Sequence, residues 1–597
     1  MRRVGHRADL VAVLLALAVV VALAWPVVVS GALESPTVLS VPQPVGIRYQ
    51  YIRRNDDVPA RLLHDVKPER VTGMDPGTIH AYLFNGRDRP LDIRSILLNG
   101  SEPGQASDLA YWAQAVPNPV APGMVSDVMV KLKGQLVKGG EVRLTFADTG
   151  TMGFAVQPSM PEVRVTYVGF SPDRRKVYLY CRNLTQRTVT IHGVELRPPG
   201  RTLTPSRGLP SLTIGSGELT CVVLTLDRPL APGQYVWCGV KTSGQLPWGE
   251  QYLAGCTMAR VYTRFPIQAF ASDHRPELSF DADNFEMAFP ESEGGWKSAL
   301  RAPWYKAYHV YDDPVCADGA EGKSLGSTAL EVAARAEACR RRDPVHPTMI
   351  YMCEFMKPAS YFVYGEITDV VAIDPYSIVH DGATPWRNKD YMALAKAATE
   401  PRPLVVFPEA FMARNGSYVS GRYPTPEEER LSVYLQLAYG AKGIWYFMRE
   451  SDKYFGGYDD QPALRDEIGR LNSELRILRP YLQMGEPVEW AKSLTSDAEA
   501  HAVLCGDQAV VVVVLNRLWE SWPRYLSNPL KPGTSPFSYK PAENVTVAIA
   551  MPETMRVRRA FAAVAGERRE VPFEQAGGEV RVEVGRVDLA TALVLQL

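Results

Sequence analysis

Four acidic positions in the middle of the chain each follow a run of apolar residues. Asp312-Asp313-Pro314 closes the run Lys306-Ala-Tyr-His-Val-Tyr, and Glu354 follows Thr348-Met-Ile-Tyr-Met-Cys. Asp374 ends Asp369-Val-Val-Ala-Ile, and Glu409 ends Leu404-Val-Val-Phe-Pro. Two facing carboxyl groups are the minimum equipment for cleaving a glycosidic bond. One protonates the leaving oxygen, and the other attacks the anomeric carbon or activates water. Each acid also has a structural reading. Asp313 and Asp374 both precede proline and suit a turn or helix cap, and Glu354 suits a rim ion pair. Glu409, directly after an apolar strand, needs a partner of some kind, catalytic or ionic. Tyr376, Trp445 and Tyr446 fall near the same strand ends, where flat rings stack on sugar faces and a phenol can hydrogen-bond a nucleophile. Core packing accounts for Phe447 and for one of the Trp445-Tyr446 pair.

These residues need a scaffold that brings strand ends together. Leu404 to Glu409 reads as a buried strand, Pro426 to Tyr439 as a helix opening on Glu427-Glu428-Glu429, and Gly443-Ile-Trp-Tyr-Phe447 as a second strand. Strand, helix, strand is the pattern of an α/β barrel, whose active sites lie at the carboxyl ends of parallel strands. Helical spacing recurs at Leu325–Arg342, Tyr391–Thr399 and Pro462–Leu482. Residues 263–488 are therefore expected to form one (β/α) barrel domain.

Elsewhere the pattern is period-two alternation with regular turn signals, which marks antiparallel sandwiches. They are expected at 33–160, 161–262 and 489–597, the first two immunoglobulin-like and in tandem. Val120-Ala-Pro-Gly and Leu230-Ala-Pro-Gly hint at a repeat between them. The fold class is thus multidomain α/β plus all-β, with an irregular or abbreviated (β/α)8-type barrel flanked by β-sandwiches. A length of 597 residues accommodates such a division. A formal charge of -1 leaves no basic surplus for a phosphate backbone, which argues against a nucleic-acid partner. Eight cysteines without a C-x-x-C pair do not make a zinc site, and most are expected as buried free thiols with at most one or two bridges. No G-x-S-x-G elbow and no H-E-x-x-H occurs. Residues 1–32 carry Arg2, Arg3 and Arg7, an apolar run from 10 to 29, and the small trio Ser30-Gly31-Ala32. That layout predicts export, with the segment either cleaved as a signal peptide or retained as a membrane tether.

The runs Tyr308-His-Val-Tyr-Asp-Asp-Pro, Arg342-Asp-Pro-Val-His-Pro, Asp369-Val-Val-Ala-Ile-Asp-Pro-Tyr, Arg422-Tyr-Pro-Thr-Pro-Glu-Glu-Glu-Arg and Gly440-Ala-Lys-Gly-Ile-Trp-Tyr-Phe resemble the barrel core of secreted bacterial glycoside-hydrolase-like proteins. These are similar to clan A glycoside hydrolases flanked by β-sandwiches. The resemblance implies an acid/base at the end of barrel strand four and a nucleophile at the end of strand seven. Counting Gly443–Phe447 as strand eight makes these Asp313 and Glu409. Tyr376 and Trp445 would then contact a poly- or oligosaccharide, with no metal or organic cofactor, and Asp374, Glu354 and Tyr446 are further candidate contacts from their places at the strand ends. Two features depart from the pattern. Relatives often read Asp-Glu-Pro where this chain reads Asp312-Asp313-Pro314, and only about 40 residues separate Phe265 from Lys306. That interval holds one strand, with Glu277-Leu-Ser-Phe-Asp-Ala-Asp as its candidate. An open or inactive cleft follows as the rival expectation: a noncatalytic carbohydrate-binding or surface scaffold protein.

Overall fold

The computed structural model describes residues 45–53, 75–104, 109–134, 140–148, 150–157, 159–243, 251–269, 285–301, 305–319, 324–353, 359–378, 384–414, 422–521 and 536–597. The export segment 1–32, Glu354 and the strand expected at 277–283 lie outside them.

Three two-sheet units flank a seven-stranded parallel sheet. In the first, a sheet ordered Val45–Arg53, Thr78–Asn85, Val125–Leu132, Ala110–Val116 accompanies one of Ile93–Leu98, Glu141–Phe146 and Gly150–Ala155. Alternate residues such as Ile79, Ala81 and Leu83 meet Val142 and Leu144 in one core, as period-two patterning requires. The second and third units repeat the plan over 163–260 and 486–596. The Ala-Pro-Gly match is structural. Gly123 and Gly233 have φ of 71° and 70°, and Met124 and Gln234 donate their N–H groups to the carbonyls of Ala121 and Ala231. Glycine takes this left-handed position without strain. A second recurrence spans all three units. Asn85, Asn183 and Asn516 are fully buried at strand ends, and each side chain ties down the turn that follows. Its amide donates to Arg89 O, Arg187 O or Lys540 O, and its Oδ1 accepts the N–H of Arg87, Thr185 or Leu518. Six cysteines, Cys181, Cys221, Cys238, Cys256, Cys339 and Cys505, are buried free thiols, whereas Cys353 is disulfide-bonded.

The described strands of the central domain's parallel sheet, where a barrel was expected, are β1 (Ile267–Ala269), β2 (Phe285–Ala288), β3 (Tyr305–Tyr311), β4 (Thr348–Cys353), β5 (Val370–Asp374), β6 (Leu404–Val406) and β7 (Ile444–Tyr446), which form a half-barrel open between β1 and β2. All are parallel, in the order β1-β7-β6-β5-β4-β3-β2. The chain thus steps round the sheet in sequence, and seven strands are described where eight were counted. The second strand is Phe285–Ala288. Among the described strands, Asp313 follows the third and Glu409 the sixth.

The helices are α1 (Glu293–Arg301), α2 (Pro314–Gly319), α3 (Ala329–Arg342), α4 (Ala359–Tyr364), α5 (Asn388–Thr399), α6 (Pro426–Ala438) and α7 (Pro462–Leu482). Strand residues of one parity, including Ile350, Val371, Ile373 and Ile444, pack outward in the main core with the helices. Those of the other parity, including Ala307, Met349, Ala372, Val405 and Trp445, form a separate interior cluster. Burial on both faces is why these strands read as continuous apolar runs. α6 begins with a capping box, Thr425 accepting from the Glu428 N–H and Glu428 reaching back, with Pro426 in the first turn.

A buried ionic network joins the amino ends of the strands to the first two sandwiches. Glu366, just before β5, meets Arg53 at 2.6 Å, His80 at 3.3 Å and the Thr78 hydroxyl, and His80 also meets Asp127 at 2.9 Å. Asp369 accepts from Arg260 at 2.8 Å, Tyr235 at 2.6 Å and the Thr348 N–H at 2.9 Å, and lies 3.5 Å from Arg340.

Burial opposes the charge on His80, but Asp127 and Glu366 outweigh it and raise the imidazole to about 9. Burial likewise opposes the charge on Glu366, where Arg53, His80 and Lys131 carry the carboxyl well below its usual range. The raised histidine contributes stability fully below its unfolded value of 6.5, and that contribution is lost as pH rises through about 9. The depressed glutamate contributes above about 4.5 and loses its share as pH falls towards its folded value. Melting temperature should therefore decline on both sides of the interval from about pH 4.5 to 6.5. Glu366→Gln should cost about 3–5 kcal/mol in urea unfolding, because it strands buried cations, and should flatten the pH profile.

Candidate active site

The inward parity of β5 and β6 carries past the strand ends into acids. Val370 and Ala372 face the interior and Asp374 continues their parity, while Val405 and Phe407 are followed by Glu409. Beyond β6 the chain stays zipped to β7, as Phe447 N–H donates to Pro408 O at 3.1 Å and Ala410 N–H to Phe447 O at 2.6 Å. After β5, Tyr376 N–H donates to Asp374 O and Ser377 N–H to Pro375 O, so the chain folds tightly over the strand end. That fold delivers two donors to Glu409, whose Oε1 accepts the Ile378 N–H at 2.7 Å and the Ser377 hydroxyl at 3.2 Å. Glu409 is 1% exposed.

Asp313 sits at the same end of the barrel on β3. Its φ is 43°, a left-handed conformation that aspartate tolerates better than most residues, and its carbonyl accepts the Ala317 N–H to start α2. Such a backbone at a strand end marks a place where position outweighs local preference. Asp312, beside it, is exposed. The sheet order places Asp313 and Glu409 three strands apart, β3 to β6, the same offset as between a fourth and a seventh strand. Asp374 lies between them on β5.

Aromatic rings make the surface from which these acids rise. Trp445 is 6% exposed and turns inward with Phe407, ring centroids 5.2 Å apart. Tyr351 meets Phe407 edge-on at 4.8 Å and stacks on His309 at 3.8 Å. The Trp445 Nε1 and Tyr351 Oη are buried and have no hydrogen-bond partner among the described residues. Tyr376 packs edge-on against Phe411 at 5.0 Å and borders Phe447 at 5.8 Å. Tyr446 corrects an expectation. As the neighbour of inward Trp445 on a strand it faces the opposite way, into the helix-packed core, 6.4 Å from Tyr458, and is fully buried there. Of the pair, Trp445 belongs to the mouth and Tyr446 to the core.

His309, Tyr351, Ser377 and Ile378 went unremarked in the sequence. The parity of Ala307 and Met349 would have singled out the first two. Nothing local marks Ser377 and Ile378, because their role arises from the turn after β5. Among the described residues, no group of three or more His, Cys, Asp or Glu side chains is arranged to hold a metal ion.

No family model matches the chain, and no curated protein matches it. Solved structures to which it is similar include a Paenibacillus sp. cycloisomaltooligosaccharide glucanotransferase, at 8% identity and a TM-score of 0.36 over 73% of this chain and 99% of that one. A Parabacteroides merdae beta-glucuronidase aligns at 9% identity and a TM-score of 0.24, over 91% of this chain and 92% of that one. A GH27 β-L-arabinopyranosidase from Geobacillus stearothermophilus, solved with arabinose, aligns at 12% identity and a TM-score of 0.29, over 51% and 61%. All three are carbohydrate-active enzymes. At TM-scores this low, they lend no residue role to this chain.

Ser377→Ala removes one of the two donors seen by Glu409 Oε1 and leaves the backbone donor in place. The variant should remain folded and lose about 1 kcal/mol in urea unfolding.

Proposed function

We propose that the protein is an exported glycoside hydrolase that cleaves a poly- or oligosaccharide at the carboxyl-end mouth of its parallel barrel. The observation that carries this reading is the arrangement of Asp313, Asp374 and Glu409 at one pole of the sheet, above the inward rings of Trp445, Phe407 and Tyr351. In this reading Asp313 protonates the glycosidic oxygen and Glu409 attacks the anomeric carbon. Water then enters with Asp313 acting as base. Ser377 and Ile378 hold Glu409 in one orientation, which favours attack from a fixed position. Trp445 and Tyr376 offer ring surface to a sugar, and Asp374 and Glu354 offer hydroxyl acceptors.

Asp313→Asn and Glu409→Gln should each lower kcat by about 10²–10⁴-fold with the fold intact by circular dichroism. Equal activity of both variants and the unaltered protein on a panel of α- and β-linked glycans would exclude this pair. The anomer released early in turnover separates the two carboxylate roles, since inversion would make Glu409 a base. For export, the amino-terminal sequence of the protein recovered outside the cytoplasm should begin near residue 33 if the segment is cleaved and at the initiator if it is kept.

A noncatalytic carbohydrate-binding protein is the second reading, favoured by the burial of Glu409 to 1% exposure and the engagement of its Oε1 by the loop after β5. Glycan affinity that survives the double change of Asp313 and Glu409, with no hydrolysis by the unaltered protein, would establish it. Trp445→Ala should weaken glycan retention under either reading.

A further inference from the structure

The three glutamates that open α6 meet three different fates. Glu427 is partly exposed. Glu428 closes the capping box, takes both guanidinium nitrogens of Arg422 at 2.7 and 2.8 Å, and accepts from the Ser521 hydroxyl. Glu429 turns into the core behind the mouth. It is fully buried, and neither carboxyl oxygen has a hydrogen-bond partner among the described residues.

The groups acting on Glu429 from the surrounding elements are acids and phenols. Glu409 comes from the segment after β6, Glu467 from α7, and Glu428 from its own helix. Tyr446 on β7 and Tyr458, in the short turn Tyr458–Asp460, couple to it electrostatically. The nearby cations are committed elsewhere. Arg422 serves Glu428, and Arg430 serves Glu467 at 2.5 Å and Glu474 at 3.0 and 3.2 Å, with the Tyr434 hydroxyl also on Glu474. A carboxylate in so apolar and anionic a place would carry a prohibitive desolvation cost, and the proton that removes its charge stays on. Burial foremost, and then Glu409, push this carboxyl well above its usual range.

We propose that Glu429 is a neutral carboxylic acid at pH 7, kept protonated by full burial without a hydrogen-bond partner among the described residues and within electrostatic reach of Glu409. This rests on reading Glu409 as a site carboxylate, but its test needs no substrate. Two carboxyl groups that interact strongly titrate as a pair, and the two donors on Glu409 Oε1 favour its charged form, whereas Glu429 receives none among the described residues.

The measurement is the infrared carboxylic-acid C=O stretch of the full chain across a pH series, with the band assigned by ¹³C-carboxyl glutamate. At pH 7 the protein should show a protonated-carboxyl band that Glu429→Gln removes and Glu427→Gln leaves. In Glu409→Gln the same band should persist at neutral pH but titrate at a pH lower by about 1–3 units, because a like charge has been removed. A neutral-pH spectrum unchanged by Glu429→Gln overturns the proposal. So does a band whose midpoint Glu409→Gln fails to move, since a merely space-filling acid would behave that way. If Glu429→Gln does not fold, the midpoint shift in Glu409→Gln decides alone. Absence of glycan hydrolysis would overturn the enzymatic reading and leave these spectra unaffected.

Discussion

Two carboxylates at the amino end of β5, Glu366 and Asp369, hold the molecule's main parts in a fixed relation. Between them they collect Arg53, His80, Thr78, Arg260, Arg340 and Tyr235, which come from the first sandwich, the second sandwich and the barrel's own α3. A buried ion pair adds little stability over an apolar contact of the same shape, yet losing one partner is severe. Such a network therefore works mainly as a specification of how the sandwiches dock on the barrel. Because Asp369 immediately precedes the five-residue strand that Asp374 ends, the docking surface and the mouth lie at the two ends of β5. Movement of the sandwiches against the barrel would be felt at the site through that strand.

α6 ties the other side together. Its first turn is fixed by Glu428, which binds its own helix cap, Arg422 and the Ser521 hydroxyl of the carboxyl-terminal unit. A neighbouring contact reinforces this join, where Trp386, leading into α5, stacks on Trp519, and Trp519 on Phe537, at 5.2 and 5.6 Å. The third unit thus reaches round to helices that start at the mouth, while the first two grip the opposite pole. The parallel sheet is held at both ends of its strands.

Much of this was legible in the residues. The helices at 426–438 and 462–482 lie where spacing and Pro426 put them, and β3, β4 and β7 match their apolar runs within a residue or so. Period-two alternation accounts for the antiparallel sheets on either side of the parallel one. The described strands number seven where the template counted eight, and apolar runs by themselves carry no index of their place in a sheet. The three-strand offset from Asp313 to Glu409 survived because it depends only on the runs between them. Tyr446 was misassigned because strand-end position was weighed and parity was not. The roles of Glu366, Asp369 and Glu429 were not legible at all. The partners of Glu366 and Asp369 lie mostly far away in sequence, Glu429 has none among the described residues, and only folding creates those surroundings.

The six buried thiols bear on how the protein can be watched. Cys181, Cys221, Cys238 and Cys256 sit within the second sandwich, Cys339 on α3 and Cys505 in the carboxyl-terminal unit. Burial raises the pKa of every one of them, so each is unreactive while its surroundings stay closed. A thiol reagent can reach them only when the local structure opens. The chain thereby carries its own timers, one set for the second sandwich, one for the barrel flank and one for the last unit, and the order in which they label would trace the order in which the molecule comes apart.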